Sequence, residues 1–376
     1  MAEGLDFGGL DLDYRPRQGH TTDYRIGIVG CGGIVLGSHL PAYAKARYRL
    51  AGVWNRNRAT AESAASRFGI GRVFSSWEDL VSSPDIDVVD ISLPPHLHPE
   101  VAVAAARAGK HIMVQKPMAT TYEEAVRIVR TARDCGVKLA VNQNGRWDPA
   151  IRACRTLIAK GILGTRLTGF IELRTMQPWQ RFWEDGTLYP KLMILGMSVH
   201  HLDQFRFLFG EPDFVSAITS RYPGQKWAGE SIAHYWLEYP DGFFASSLDD
   251  GSTWTRDYGI RFRITGTDGV LKGTIGWPDS TYSTLQFTSK AMGDYWHEPI
   301  FETKWFPDAF IGTMGDLFQA IETNGEPTIS GEDNLKTLQL VFACYKAAAE
   351  RRAVRPSEIA EQVPPQTPTT EGNRKK

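Results

Sequence analysis

Cysteine is scarce in this sequence, with four residues among 376. Cys31, Cys135, Cys154 and Cys344 form neither a CxxC pair nor the spacing of a metal-ligand set, so a disulfide framework and a zinc module are both excluded as organising devices. Long hydrophobic runs are missing too. The longest, such as Asp87–Leu93, are strand-sized, and none has the length of a membrane span. Neither sign of charge is in excess: 42 basic against 43 acidic side chains give a net charge of −1. That balance supplies no field to hold a polyphosphate backbone and argues against nucleic-acid binding. The opening residues, Met1-Ala-Glu-Gly-Leu-Asp-Phe-Gly8, carry no basic segment followed by an apolar one, so no secretory signal is visible; with reduced thiols, this predicts a cytoplasmic protein.

What is present is length and alternation. A chain of 376 residues exceeds one ordinary hydrophobic core, so more than one domain is expected. Residues 1–23, rich in Gly and Asp, read as an N-terminal arm that is ordered only where it docks. From Tyr24 short apolar runs alternate with helical stretches to Asn144, the pattern of a parallel sheet with helical crossovers. From residue 145 to 355 one helix leads to strand-like segments with alternating side chains, separated by turn signals such as Pro240-Asp-Gly242, and then to two helices. The fold class is therefore α/β: an N-terminal Rossmann dinucleotide-binding domain (24–144) and a C-terminal α/β domain (145–355) with an open, mostly antiparallel sheet. Residues 356–376 read as a disordered tail.

Gly30-Cys-Gly-Gly33 lies where a Rossmann phosphate loop belongs, after the first strand and opening the first helix. Gly30 suits the tight turn and Gly32 the close approach of a pyrophosphate, whose charge meets the helix N-terminus at Gly33 and Ile34. The third small position of GxGxxG falls on Val35, so the fingerprint is imperfect. The second strand ends in Trp54-Asn55-Arg56-Asn57. An acid usually sits there to bond the ribose hydroxyls; Asn55 can still do so, and Arg56 suits a 2′-phosphate, which leaves NAD and NADP both open.

These residues resemble a known family. Gly30-x-Gly-Gly33, Asp90-Ile-Ser-Leu-Pro-Pro-His-Leu-His98 and Gly109-Lys-His-Ile-Met-Val-Gln-Lys-Pro117 are similar to the Gfo/Idh/MocA oxidoreductases, the glucose–fructose oxidoreductase and inositol dehydrogenase group. The likeness runs from about Tyr24 to Arg352. It implies a Rossmann domain followed by an α/β domain, and dimers, tetramers or higher homo-oligomers formed through the C-terminal sheet. Two positions depart from the family pattern: Gln115 stands where Glu precedes Lys-Pro, and Gly196 stands where an acid precedes His200 by one turn. A narrower resemblance, carried by Gln115-Lys-Pro, Val141-Asn-Gln-Asn144, Ser198-Val-His-His-Leu-Asp203, Lys272-Gly-Thr-Ile-Gly-Trp-Pro278 and Trp305-Phe-Pro-Asp308, is to members that oxidise glycosides at the sugar 3-hydroxyl.

Oxidising a secondary alcohol needs a hydride acceptor and a base. The resemblance assigns the base to His200, with Lys116 orienting the hydroxyl and relaying its proton. Asp203 and His201 are expected near the substrate. Asn142, Asn144 and Arg146 end the last Rossmann strand and suit sugar hydroxyls. Leu93, Pro94 and Gln115 join Lys116 as the expected nicotinamide-side wall; His98, at a helix start, reads either as part of that wall or as a structural cap. No metal site is expected, because two His on one helical face need a spacing of four. Eleven tryptophans are present, eight of them between residues 170 and 310. Indole faces stack on sugar C–H surfaces, so Trp179 and Trp183 are expected to line the cleft. The reading that follows is an NAD(P)-dependent oxidoreductase acting on a sugar, glycoside or cyclitol, its dinucleotide held tightly in one variant. The alternatives are a glycosidase or lyase that recycles its NAD, and a non-catalytic sensor or scaffold.

Overall fold

The computed structural model describes residues 11–176, 190–253, 259–277, 282–293 and 295–360. In the first domain, strands β1 (Ile26–Val29), β2 (Leu50–Trp54), β3 (Val88–Ile91), β4 (His111–Val114) and β5 (Leu139–Val141) pair in parallel in the order β2-β1-β3-β4-β5. β1 and β3 are buried along their whole length. That burial explains why both read as continuous apolar runs: helices cover both faces of the sheet and leave no solvent side. The strand order reverses between β1 and β3, and the crevice beyond their carboxyl ends is where such sheets hold ligands.

The first helical segment starts at Gly33, widens into a π-turn over Val35–His39 and continues as α1 (Leu40–Ala46). α2 (Arg58–Phe68), α3 (Trp77–Ser82), α4 (His98–Arg107) and α5 (Tyr122–Asp134) follow. Their starts show ordinary capping chemistry: Asn57, Ser76 and Thr121 each accept a backbone N–H three residues on. The short α3 is not among the elements expected from the sequence, since six residues give too little periodicity to see.

The second domain holds a sheet in the order β12-β11-β10-β6-β9-β8-β7. Its strands are β6 (Arg166–Arg174), β7 (Phe214–Ser220), β8 (Ile232–Glu238), β9 (Phe244–Asp250), β10 (Gly259–Gly266), β11 (Gly269–Ile275) and β12 (Thr284–Ser289). All neighbours are antiparallel except β6 and β9, whose parallel pairing no local pattern announces. One face buries Ile171, Tyr235, Phe262 and Leu285, and the alternate residues form the outer face. The inner face is covered by α6 (Pro149–Ala159), α7 (Val199–Phe209), which continues a π-turn at Ile194–Ser198, and α9 (Gly331–Glu350). α8 (Ala309–Thr323) and α9 also pack on α1, α5 and β5, so the C-terminal helices return to the Rossmann domain. The Val141 N–H donates to Ile329 O at 2.8 Å across that seam.

The described part of the arm docks on its own chain. Leu12 is buried, Asp13 pairs with Arg152 at 2.8 Å, and the Thr21 N–H donates to Glu322 at 2.9 Å. The start of the expected tail is ordered too: Ser357–Ala360 forms a helical turn (α10). Composition hid this because the turn is held by tertiary contacts, with Glu358 gripping Arg352 at 2.6 Å and Ile359 buried. Among the described residues no helix is long and apolar enough to cross a membrane.

Candidate active site

The phosphate loop is built for close approach. Gly30 has φ +102°, and a Cβ there would lie 2.3 Å from the Ser92 carbonyl oxygen at the end of β3. Any side chain would force the two strand ends apart. Added Cβ atoms at Gly32 and Gly33 would meet nothing within 4 Å, so the first turn of the helix faces open space. Exposed N–H groups at a helix start with no side chains over them fit a dinucleotide diphosphate. Gly30→Ala is expected to lower stability by about 2–3 kcal/mol and abolish NADH binding. Thermal unfolding and fluorescence titration check this; wild-type values for both would refute the steric reading.

Asn55 ties the loop to the second strand. Its Oδ1 accepts the Cys31 N–H at 2.9 Å and its Nδ2 donates to Asn57 O at 3.0 Å. Arg56 is exposed at the same corner. Across the crevice Leu93 sits 3.2 Å from the position a Gly30 Cβ would take, and Pro94 leads into a short turn at Pro95–Leu97. Of its two readings His98 takes the structural one. It is fully buried, with Nε2 2.8 Å from Leu93 O and Nδ1 3.1 Å from Pro117 O, so it braces the two loops from behind.

Lys116 follows β4, and its Nζ donates to the carbonyl oxygen of Gly196. Gly196 lies in the π-turn before α7, a widened geometry that leaves room for a side chain from outside the helix. At the position where the resemblance implied an acid, the chain thus offers a backbone acceptor. Desolvation lowers the Lys116 ammonium to about 8. His200 stands on the first turn of α7, 4% exposed, with no partner for Nδ1 among the described residues. Burial, then the nearby Lys116 charge, then His201 push its imidazole well below the ordinary range. Trp305 meets the His200 ring edge-on at 5.5 Å and donates from Nε1 to Asn144 Oδ1 at 3.0 Å. The sequence noted the Trp305-Phe-Pro-Asp308 motif without placing it beside His200; no local signal pairs positions so far apart.

Gln115 and Asn142 lie beneath the same floor, both buried. The Asn142 Oδ1 is buried without a partner among the described residues. Asn144 holds Trp305 rather than facing outward.

Three expected substrate contacts are committed elsewhere. Arg146 grips Asp203 through two bonds of 2.7 Å, and Thr337 also donates to Asp203 at 2.8 Å. His201 points the other way from His200, as adjacent helical positions must, and pairs with Asp249 of β9 at 2.8 Å. The spacing of residues suggested the cleft; burial and charge pairing place these groups in the frame around it. Trp179 and Trp183 lie outside the described residues. Among the described residues no cluster of three metal-ligating side chains occurs.

Comparison with known proteins agrees with this architecture. Residues 24–143 match the oxidoreductase family with NAD-binding Rossmann fold, and residues 155–355 match the C-terminal α/β domain of the same family. The chain is 28% identical over 360 residues to D-apiose dehydrogenase of Paraburkholderia graminis, covering 92% of this chain and 93% of that one. It is 30% identical over 292 residues to 1,5-anhydro-D-fructose reductase of Ensifer adhaerens, covering 77% and 85%. Levoglucosan dehydrogenase in complex with NADH and L-sorbose shares the fold with a TM-score of 0.78 at 24% identity, covering 89% and 99%. The protein therefore belongs to the Gfo/Idh/MocA family and is an NAD(P)-dependent oxidoreductase.

Proposed function

We propose that this protein oxidises a secondary hydroxyl of a sugar, glycoside or cyclitol, and that the 3-hydroxyl of a glycoside, giving a 3-keto sugar, is its target. The observation that carries the reading is the meeting of Lys116 with the His200 helix beside an open glycine cradle. Relatives named for D-apiose and 1,5-anhydro-D-fructose support the substrate class; the motifs shared with glycoside 3-oxidising members support the position. The bound nicotinamide supplies the hydride acceptor, and the residues here manage the proton. Neutral Lys116 holds the hydroxyl, takes its proton and passes it on to His200, which is unprotonated near neutrality. Gly196 O accepts from Lys116 without binding a proton of its own, so Lys116 keeps a titratable proton at the hydroxyl.

The sign of the pH dependence follows. Oxidation needs Lys116 able to receive a proton, so log kcat/KM is expected to rise with pH up to about 8 and level off above it. The reverse reduction, which needs the proton present, is expected to fall above about 8. Initial rates of NADH or NADPH formation between pH 6 and 10 over a panel of glycosides and cyclitols test both function and sign. An oxidation optimum below pH 7, or no reduced cofactor from any member of the panel, would count against the reading. Which reduced cofactor forms decides between NAD and NADP.

The outer face of the second sheet supports self-association. Phe170, Ile218 and Phe244 are exposed on strands of that face, beside Trp236 and Leu248. A homo-oligomer formed on that face is expected by light scattering, and an Ile218→Lys, Phe244→Glu variant is expected to run as a smaller species.

A further inference from the structure

Beneath the Lys116 loop runs a chain of buried hydrogen bonds with a fixed direction. Gln115 Oε1 accepts the Lys116 N–H at 2.7 Å, so its Nε2 must be the end that lies 3.0 Å from His39 Nε2. An amide nitrogen only donates, and therefore His39 Nε2 accepts. Asn142 Nδ2 approaches the same ring nitrogen at 3.4 Å. The His39 proton then sits on Nδ1 and is donated to Asp90 Oδ2 at 2.7 Å. Asp90 also receives the Tyr43 hydroxyl at 2.8 Å and the Ser92 hydroxyl at 3.1 Å. His39 and Asp90 are fully buried. His39 lies in the π-turn that follows the phosphate loop, and Phe310 of α8 closes the other side of its ring at 4.6 Å.

We propose that His39 is a positioning residue for Lys116, acting through Gln115, and that the glutamine at 115 is matched to it as donor to acceptor. The pair joins the phosphate-loop helix to the backbone that carries Lys116. A glutamate at 115 would set two acceptors face to face. Only one added proton, on His39 or on the new Glu, would relieve that, at the cost of an imidazolium between two carboxylates or a buried carboxylic acid. This explains in local terms why the chain departs from the family's Glu-Lys-Pro: with His39 donating to Asp90, position 115 must donate.

The expected consequence has a sign. In Gln115→Glu the added proton is held between the two side chains only in the fold, so its contribution is full at low pH and is lost as pH rises. The other titratable groups around His39 are Asp90, Tyr43 and Cys31. Tyr43 is raised well above the ordinary phenol range, and Cys31 is raised to about 12, both chiefly by burial. Lys116 titrates in the wild type as well and cancels in the comparison.

The test uses the full-length protein and two readouts that need no sugar. The first is thermal unfolding from pH 6 to 9. Gln115→Glu is expected near wild type at pH 6 and about 5–10 °C below it at pH 9. His39→Gln, whose amide supplies one donor and one acceptor, is expected to track the wild type throughout. The double variant, with no imidazole to share the added proton, is expected to be low at every pH. Parallel curves for Gln115→Glu and wild type would overturn the proposal, and so would a His39→Gln curve as low as the double variant's. The second readout is the pH dependence of Lys116 acetylation by trace acetic anhydride, followed by peptide mass spectrometry. His39→Leu is expected to move the Lys116 midpoint up by about one unit or more as its enclosure loosens; an unmoved midpoint removes the positioning role. The inference rests on the reading of Lys116 above, but its failure would leave that reading standing, since neither readout reports turnover.

Discussion

Lys116→Ala is expected to leave a folded protein that binds NADH normally and to lower kcat by about 10³-fold or more, within the range for losing a positioned acid–base group. The Lys116 side chain donates to a carbonyl at the cleft rather than to a buried carboxylate, so its removal strands no charge. Stability should therefore change little, and the loss should fall on the chemical step. Lys116→Arg separates orientation from proton movement: a guanidinium bonds a hydroxyl oxygen but does not give up its proton near neutrality. It is expected to recover KM but not kcat, and to remove the rise toward pH 8. Hydride transfer in a single turnover, measured on the first glycoside that yields reduced cofactor with the wild type, decides the matter. An Ala variant within threefold of wild-type kcat would end the assignment of Lys116.

The parts of the fold that sequence made legible are those governed by local periodicity. β1 and β3 read as buried parallel strands because both faces are covered, and β8 reads as a half-buried strand because Tyr235 and Leu237 alternate with His234 and Trp236. The parallel contact of β6 with β9 was not legible, since both strands carry the same alternation whichever way they pair. Nor were the π-turns at Val35–His39 and Ile194–Ser198, because one extra residue in a turn barely perturbs a helical pattern. Yet those two turns carry His39 and Gly196, the groups that hold Lys116 from below and from the side.

The same limit applies to the site. Motif spacing singled out Lys116 and His200, and these two come together. Asp203 was singled out by the motif it shares with His200, and Arg146 and His201 by proximity along the chain; neither signal says anything about the carboxylate or guanidinium waiting in another element. Position 196 was noticed for lacking an acid. What it supplies instead, a backbone oxygen, is carried by every residue type and leaves no trace in sequence.

Asp203→Ala is expected to cost about 2–3 kcal/mol of stability, the loss of a buried, doubly bonded partner from a guanidinium that keeps only Asp333 and Thr328 O. The Arg146 and Asp203 side chains are 7% and 1% exposed, joined by paired bonds of 2.7 Å. Arg146 also donates to Thr328 O at 2.8 Å and pairs with Asp333 at 2.5 Å. Burial pushes the Asp333 carboxyl up, but Arg146 and then Arg206 outweigh it and leave it below the ordinary range. This contribution is present at neutral pH and is lost as pH falls through the lowered folded value. On its outer side Arg146 lines a cavity of about 690 Å³ with Arg152, Arg155 and Phe207, and neither Lys116 nor His200 belongs to its walls. The cycle of Arg146→Met, Asp203→Leu and the double variant is expected to show a coupling of about 2 kcal/mol or more, because the double variant strands neither member of the pair. KM for the sugar should stay within a fewfold of wild type in any variant that folds at the assay temperature. The opposite split, an unchanged unfolding temperature with a large rise in KM, would return Arg146 and Asp203 to the substrate.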